Sequence, residues 1–501
     1  MIMAHILTTG IFLTAPDAAA DPPTFALDVA PIVFNNCVEC HRPGQAAPFD
    51  FTTYNNVRRK AKLIAHVTES GYMPPWKAAP EYGDFHNARS LTDDEKTTLR
   101  DWAEAGAPEG DPAQTPALPE FSSDWILGDP DLIVTMPEPF TVPAEGPDIY
   151  INFVVPVPEV PEGKYLKAFE FRSTAKTTAH HCLFALDTTG LAREVDAEEP
   201  GPGFKGMIPR LRNARFGGWA VGGRPLPFPD GVALPLPDGS DLVLEAHFHP
   251  SGKEETEQAQ IALYLTDEAP THQMVNVPVP FGFGLGMGIE VQPGDDKYEV
   301  KETFTLPVAV EVTDIMPHAH YICKEMKAWA ETPDGKEVPL IHVPEWDFAW
   351  QEQYAYKQPV QLPADTVIHT WFRYDNSEDN PRNPNHPPRR VIWGPESTDE
   401  MASLAMNVVP ANDADAEILR AAIEDYRIQT IANADVDLLM EGMHEMFIER
   451  MDTNGDGTIS FLERMEGIKR MRKRMPENSG GRAVLPLLRK LLTARIDGDE
   501  S

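Results

Sequence analysis

Proline sets the tightest limit on what this chain can fold into. Forty-nine of its 501 residues are proline, about twice the usual share of roughly 5%. Each one fixes φ and removes a backbone donor, which disfavours long helical bundles and favours short strands, edges, turns and linkers. A chain this long exceeds one ordinary domain, and about three or four are expected. The net charge of −35 repels nucleic acid and anionic membrane surfaces, so neither is an expected partner. No stretch reaches the length of a transmembrane helix.

Between the prolines, short β runs carry histidines in pairs. In Ile315-Met316-Pro317-His318-Ala319-His320-Tyr321, residues two apart on a strand face the same side, so His318 and His320 project together. Both imidazoles need a partner for a polar nitrogen, and a transition metal satisfies both. Alone, the motif fits a metal site or a pair of surface histidines equally well. His180-His181 are adjacent, and adjacent strand residues point to opposite faces unless the strand bulges or ends. Leu244-Glu245-Ala246-His247-Phe248-His249 places His247 and His249 on one face, and periodicity does not choose between them. Many short strands with turn signals from about residue 126 to 410 predict two all-β domains of sandwich or jelly-roll type, dividing near Glu268-Ala269-Pro270.

The flanks carry different chemistry. Cys37-Val38-Glu39-Cys40-His41 is a CxxCH: two thiols can form thioethers to haem vinyl groups while the histidine reaches the iron. A chance match, a redox pair or a zinc site are the alternatives, and no second CxxC accompanies it. Met73, between Gly71 and Pro74-Pro75, is the candidate sixth ligand, with His66 and His86 competing. Helical patterns over Tyr54–Thr68 and Thr92–Ala105 make residues 21–112 a small all-α, cytochrome c-like haem domain. The proline-rich Gly110–Phe121 reads as a linker, with the boundary at residues 113–125. Residues 1–20 have an apolar core and Ala18-Ala19-Ala20, as in a secretory signal without basic residues, and predict export to a periplasmic or extracellular location. Cys182 and Cys323 are bridged or free.

From residue 411 the pattern turns helical. Asp452-Thr453-Asn454-Gly455-Asp456-Gly457-Thr458-Ile459-Ser460-Phe461-Leu462-Glu463 fits an EF-hand loop. Asp452, Asn454, Asp456, Thr458, Ser460 and Glu463 would hold calcium, with Gly457 at the turn. The basic run Lys469–Arg474 reads as a solvated helix face or an internal salt contact rather than a binding site.

Taken in order, HH at His180-His181, LEAHF at Leu244–Phe248, HAH at His318–His320 and DEM at Asp399–Met401 resemble the copper type II, ascorbate-dependent monooxygenases, of which peptidylglycine alpha-hydroxylating monooxygenase is one. The resemblance covers a little over half the chain. It looks like a bacterial form with an N-terminal CxxCH domain. It implies two jelly rolls, residues 126–269 and 270–410, each holding one copper ion; the helical EF-hand region at 411–501 follows them. Carried over by position, His180, His181 and His247 would bind an electron-storing copper. His318, His320 and Met401 would bind the copper at which molecular oxygen hydroxylates a substrate C–H bond. The expected partners are therefore oxygen, a small-molecule or peptide substrate, and an electron donor, either ascorbate-like or a redox protein. The haem domain is a candidate route for those electrons. A copper- and haem-bearing electron-transfer protein without catalysis is the alternative. The chain lacks the cysteines that tie animal members together, and peptide amidation does not follow from the resemblance.

Overall fold

The computed structural model describes residues 21–43, 45, 47–121, 125–206, 214–442, 460, 462–463, 465–467 and 469. The expected signal at 1–20 and calcium ligands Asp452, Asn454, Asp456 and Thr458 lie outside these residues. The chain divides into two compact units, Met1–Pro74 with Leu91–Pro119, and Pro75–Ser90 with Glu120–Ser501.

The first unit is held by short helices. A π turn at Phe25–Val29 runs into Ala30–Asn36, and Tyr54–Arg59, Ala61–Glu69 and Asp93–Glu104 follow. Phe25, Val33, Val57, Leu99 and Trp102 form its core, and the Trp102 indole N–H donates to the Pro108 carbonyl at 2.9 Å. The last helix starts as its sequence dictates. Thr92 Oγ1 accepts from the Glu95 amide, and the Glu95 carboxylate accepts from the Thr92 amide at 2.8 Å, a reciprocal cap.

The sheets of the second unit are antiparallel. Ile149–Pro156, Asp241–Phe248, Ala179–Asp187 and Arg215–Ala220 form one sheet in that spatial order. Leu132–Thr135, Gln260–Thr266, Tyr165–Arg172 and Leu234–Pro235 form a second. Inward residues of both, among them Phe153, Phe171, Phe184, Leu244 and Ile261, make one core. A second pair of sheets repeats the plan. Val275–Val279, Ser403–Pro410, Val310–His318 and Tyr354–Leu362 form one. Tyr298–Thr305, Val367–Tyr374, Cys323–Glu331 and Glu337–Val343 form the other. Their core holds Ile315, Met326, Phe372, Tyr374 and Leu404. Helix Asp413–Asn433, capped by Asn412 accepting from the Asp415 amide at 3.0 Å, follows, and then Val436–Gly442. No helix among the described residues is long and apolar enough to cross a membrane.

The fold class expected from sequence is corrected here. The expected sum of a small all-α cytochrome c-like domain, two jelly rolls and a helical EF-hand end gives way to a chain that is mainly antiparallel sheet and about 21% helical, with no small all-α cytochrome-like domain evident among the described residues. Two local causes separate expectation from structure. The helix predicted over Tyr54–Thr68 breaks at Lys60, whose φ of −110° and ψ of 5° leave the helical region. Pro75–Ser90 does not complete the first unit: Phe85 pairs with Tyr356 as a β bridge, and Trp76 and Phe85 pack on Tyr354 at ring distances of 5.0 and 5.5 Å. Proline-rich extended chain adds to a strand more readily than it closes a helical bundle.

Candidate metal centre

The adjacent histidines meet one another because the strand is irregular at that point. On Ala179–Asp187, Ala179 pairs with Phe248 and His181 with His247, leaving His180 as an extra residue. This is a β-bulge, which re-aims a side chain that would otherwise face away. His180 Nδ1 lies 3.1 Å from His181 Nδ1, and His247 Nδ1 lies 3.4 Å from His181 Nδ1. Three nitrogens about 2.0 Å from one ion at tetrahedral angles sit about 3.3 Å apart. The three histidines form a cluster whose ligand atoms all lie within 4.8 Å of one another.

The rear nitrogen of His247 settles the tautomer. His247 Nε2 faces Asp148 Oδ2 at 3.0 Å, so the proton sits on Nε2 and the Nδ1 lone pair faces the cluster. His249, the other candidate on that strand, turns away and binds Asp148 Oδ1 at 2.6 Å from an exposed position. Burial pushes the Asp148 carboxyl up, but its bonds to His247, His249 and Ser397 outweigh this and hold it well below the usual range. Tyr150 stacks flat on His247 at 4.2 Å.

The second pair sits where a strand ends, with His318 the last residue of Val310–His318 and His320 just beyond it. Ala319 is fully buried, and His318 and His320 project together with ring centroids 5.3 Å apart. His318 Nδ1 lies 2.6 Å from Gln351 Oε1, and His320 Nδ1 lies 3.3 Å from the Asp399 carbonyl. Both acceptors require Nδ1–H, which leaves both Nε2 atoms as bare donors. Met401 is half-buried and tied to the pair through its backbone. The buried Glu400 Oε1 accepts from the His320 amide at 2.5 Å and the Met401 amide at 2.8 Å, while Oε2 accepts from Ile322 at 3.2 Å. Burial raises Glu400 to about 8 against the pull of these amides.

All five imidazoles are poised to be uncharged. Burial lowers His180 to about 3 and His318 to about 4, and holds His181 and His320 well below their ordinary value, with neighbouring imidazoles adding to each. Burial also lowers His247, partly offset by Asp148. Unprotonated imidazoles at neutral pH are metal ligands in waiting.

In the first unit, the CxxCH forms a turn. Cys37 ends helix Ala30–Asn36, and the His41 amide donates to the Cys37 carbonyl at 2.9 Å. His41 Nδ1 lies 3.1 Å from the Phe49 carbonyl, and its ring stacks on Phe51 at 4.4 Å. That bond leaves Nε2 available to a metal. Burial, with Cys40 and Glu95 nearby, pushes the Cys37 thiol up to about 12. Met73 sits beyond helix Ala61–Glu69 with its amide on the Val67 carbonyl at 2.9 Å. His66 lies exposed on that helix, and the His86 amide bonds Ala355 in the second unit. Cys182 and Cys323 are buried and free. Of the calcium ligands, Ser460 and Glu463 cap one another, Ser460 N–H to Glu463 Oε2 at 2.9 Å.

Sequence reasoning missed Asp148, Gln351, Phe348 and Glu400, because each comes from a segment remote from the histidine it supports. The strongest signal was Glu400 inside the DEM already singled out for Met401. Phe348 is 4.9 Å from His180 and stacked on it, 6.2 Å from His247 and 5.5 Å from His320.

No family model matches this chain, and no curated protein does. Similar solved structures include PNGF-II, at 10% identity and a TM-score of 0.23, covering 56% of this chain and 65% of that one. The major capsid protein P2 from bacteriophage PM2 has 9% identity and a TM-score of 0.17 over 46% of this chain and 99% of that one. The VP2 subviral particle of infectious bursal disease virus has 10% identity and a TM-score of 0.18 over 57% and 73%. The chain spans about 65% of the length of PNGF-II. Likenesses this weak carry no argument about fold or activity.

Proposed function

We propose that this protein is an exported, copper-dependent monooxygenase of the type II, ascorbate-dependent kind. The observation that carries the reading is the pair of clusters of unprotonated imidazoles, in which His247, His318 and His320 each turn one ring nitrogen to an oxygen acceptor. His180, His181 and His247 would hold one copper ion, and His318, His320 and Met401 the other. Imidazole nitrogens suit both oxidation states of copper, and a thioether such as Met401 favours the reduced one. When bound, copper supplies one-electron redox chemistry and activation of molecular oxygen toward a C–H bond.

The chain's own residues do the rest. Asp148 orients His247 and raises its basicity, and Gln351 and the Asp399 carbonyl do the same for His318 and His320. Glu400 holds the Met401 backbone beside that of His320. Phe348 excludes water from the faces of His180 and His320. Cys37, Cys40 and His41, with Met73 as sixth ligand, would hold a haem that takes electrons from a donor, ascorbate-like or protein. Asp452, Asn454, Asp456, Thr458, Ser460 and Glu463 would hold calcium. The substrate is a small molecule or peptide.

The test is a metal and haem count on protein reconstituted with copper, followed by oxygen uptake with a reductant and a panel of substrates. Two copper ions per chain and a hydroxylated product coupled to oxygen uptake are expected, with product lost in His318→Ala. A chain that keeps no copper overturns the reading. Two copper ions without any product leave an electron carrier.

A further inference from the structure

Two cationic side chains from Pro75–Ser90 close on the stretch that carries Gln351. That stretch, residues 345–352, follows strand Glu337–Val343 and leads into strand Tyr354–Leu362. It touches both histidines of the second donor set. The Trp346 indole donates to the His320 carbonyl at 3.1 Å. Gln351 Nε2 donates to the Phe348 carbonyl at 3.2 Å, which leaves Oε1 to face His318 Nδ1 at 2.6 Å. Neighbours on an extended chain point opposite ways. Gln351 and Gln353 therefore reach His318 and Asp314, both on strand Val310–His318, while Glu352 between them turns away.

Glu352 turns to Arg89. Its Oε2 accepts from Arg89 Nη2 at 2.6 Å, with the two side chains 8% and 10% exposed. Near the other end of the stretch, Asp347 Oδ2 lies 3.7 Å from Lys77 Nζ, and both side chains are largely buried. The segment that supplies the two cations is itself fixed. The Ala79 amide donates to the His342 carbonyl and the His86 amide to the Ala355 carbonyl, each at 2.8 Å. Arg89 Nη2 also reaches the Pro75 carbonyl at 3.3 Å, tying the ends of Pro75–Ser90 together. Stability does not account for these pairs. Two charges taken out of water recover little net free energy. Arg89 Nε and Nη1 find no acceptor among the described residues, a further cost. What the pairs supply is the register of residues 347–352, and with it the place of the Gln351 oxygen.

We propose that Lys77 and Arg89 are positioning residues of the second donor set: by gripping Asp347 and Glu352 they hold Gln351 on His318 Nδ1 and keep His318 Nε2 turned to the ion. This rests on the copper reading and adds to it a segment remote in sequence from every ligand of that set.

Cu(I) affinity of the full chain, read by competition with a chromophoric chelator, tests this without turnover. His247→Ala isolates the second set and His318→Ala the first. In the His247→Ala chain, Arg89→Met should weaken binding about 10- to 100-fold, and Lys77→Met should weaken it in the same direction. In the His318→Ala chain neither should shift affinity by more than about twofold. A residue that acts through Gln351 has little left to do once Gln351 is gone. With His247→Ala and Gln351→Ala in place, Arg89→Met should therefore cost less than about threefold more. Equal losses at both sets, or a loss that multiplies in full with that of Gln351→Ala, make the pairs general scaffolding. Either result overturns the proposal and leaves the copper reading intact, as does a second set indifferent to both substitutions. If Arg89→Met does not fold, Lys77→Met decides by the same comparisons. An unsubstituted chain that fails to hold two ions overturns both the proposal and the reading beneath it.

Discussion

Asp314 carries a prediction that can be worked in numbers. It lies on the strand that ends at His318 and is 7% exposed. Its Oδ1 accepts from the Gln353 amide group at 2.7 Å and from Asn407 at 2.9 Å, and Oδ2 accepts from the Thr313 hydroxyl at 2.9 Å. Burial raises its carboxyl from 3.8 to about 6 against these donors. A folded-state value above the unfolded one means that the acid form is favoured by folding. Its contribution is fully present below about 3.8 and is lost as pH rises through about 6. The gap of roughly 2.2 pH units corresponds to about 3 kcal/mol once both states have ionised. Asp314→Asn removes the titration and keeps the geometry. The new carbonyl keeps Gln353 and Asn407, and the new N–H₂ donates to Thr313 Oγ1, whose proton goes to the Asn407 carbonyl now 3.0 Å away. The variant should gain about 1–2 kcal/mol over the unsubstituted chain at pH 5 and about 3 kcal/mol at pH 7.5. Urea unfolding of both proteins across that range, followed by tryptophan fluorescence, measures the difference with all other groups cancelling. A difference that does not change with pH, or a variant less stable at pH 7.5, refutes the argument.

Other outcomes follow from the same geometry. Asp148→Ala should weaken copper binding at the first set by about 10- to 100-fold in a competition titration, since it frees the rear nitrogen of His247. Gln351→Ala should do the same at the second set and spare the first. Gly442→Ala should cost about 1–3 kcal/mol in thermal unfolding, because its new methyl would collide with the Trp393 carbonyl, which cannot swing aside. Cys37→Ala with Cys40→Ala should abolish covalent haem in a pyridine haemochrome assay after export with haem-attachment machinery, while leaving copper content unchanged.

The parts of the centre legible in sequence were those set by local periodicity. His318 and His320 come together, with ring centroids 5.3 Å apart, as the two-residue spacing suggests, although the strand itself ends at His318. The HH pair was readable only conditionally, since it needed a strand irregularity that no local pattern announces, and the bulge at His180 supplies it. Asp148 and Gln351 were invisible because they lie 99 and 33 residues from the histidines they orient, and only tertiary pairing brings them there. The helix over Tyr54–Thr68 was misjudged as continuous because its apolar spacing carries through Lys60, where the backbone does not. The cytochrome-like domain failed at a larger scale. Local helical signals fixed short pieces, while Trp76 and Phe85, counted with them by sequence order, went to the β core of the other unit.

That last arrangement has a practical consequence for dissecting the molecule. The polypeptide passes from one unit to the other three times, after Pro74, after Ser90 and after Pro119. No single cut therefore separates the unit that carries the CxxCH from the unit that carries the histidine clusters. A chain begun at Glu120 would leave Tyr354 and Tyr356 facing the space vacated by two aromatic rings, and a poorly soluble fragment of that kind would say nothing about whether the histidine centre needs its neighbour. Dissection calls for an internal swap in which residues 75–90 stay behind.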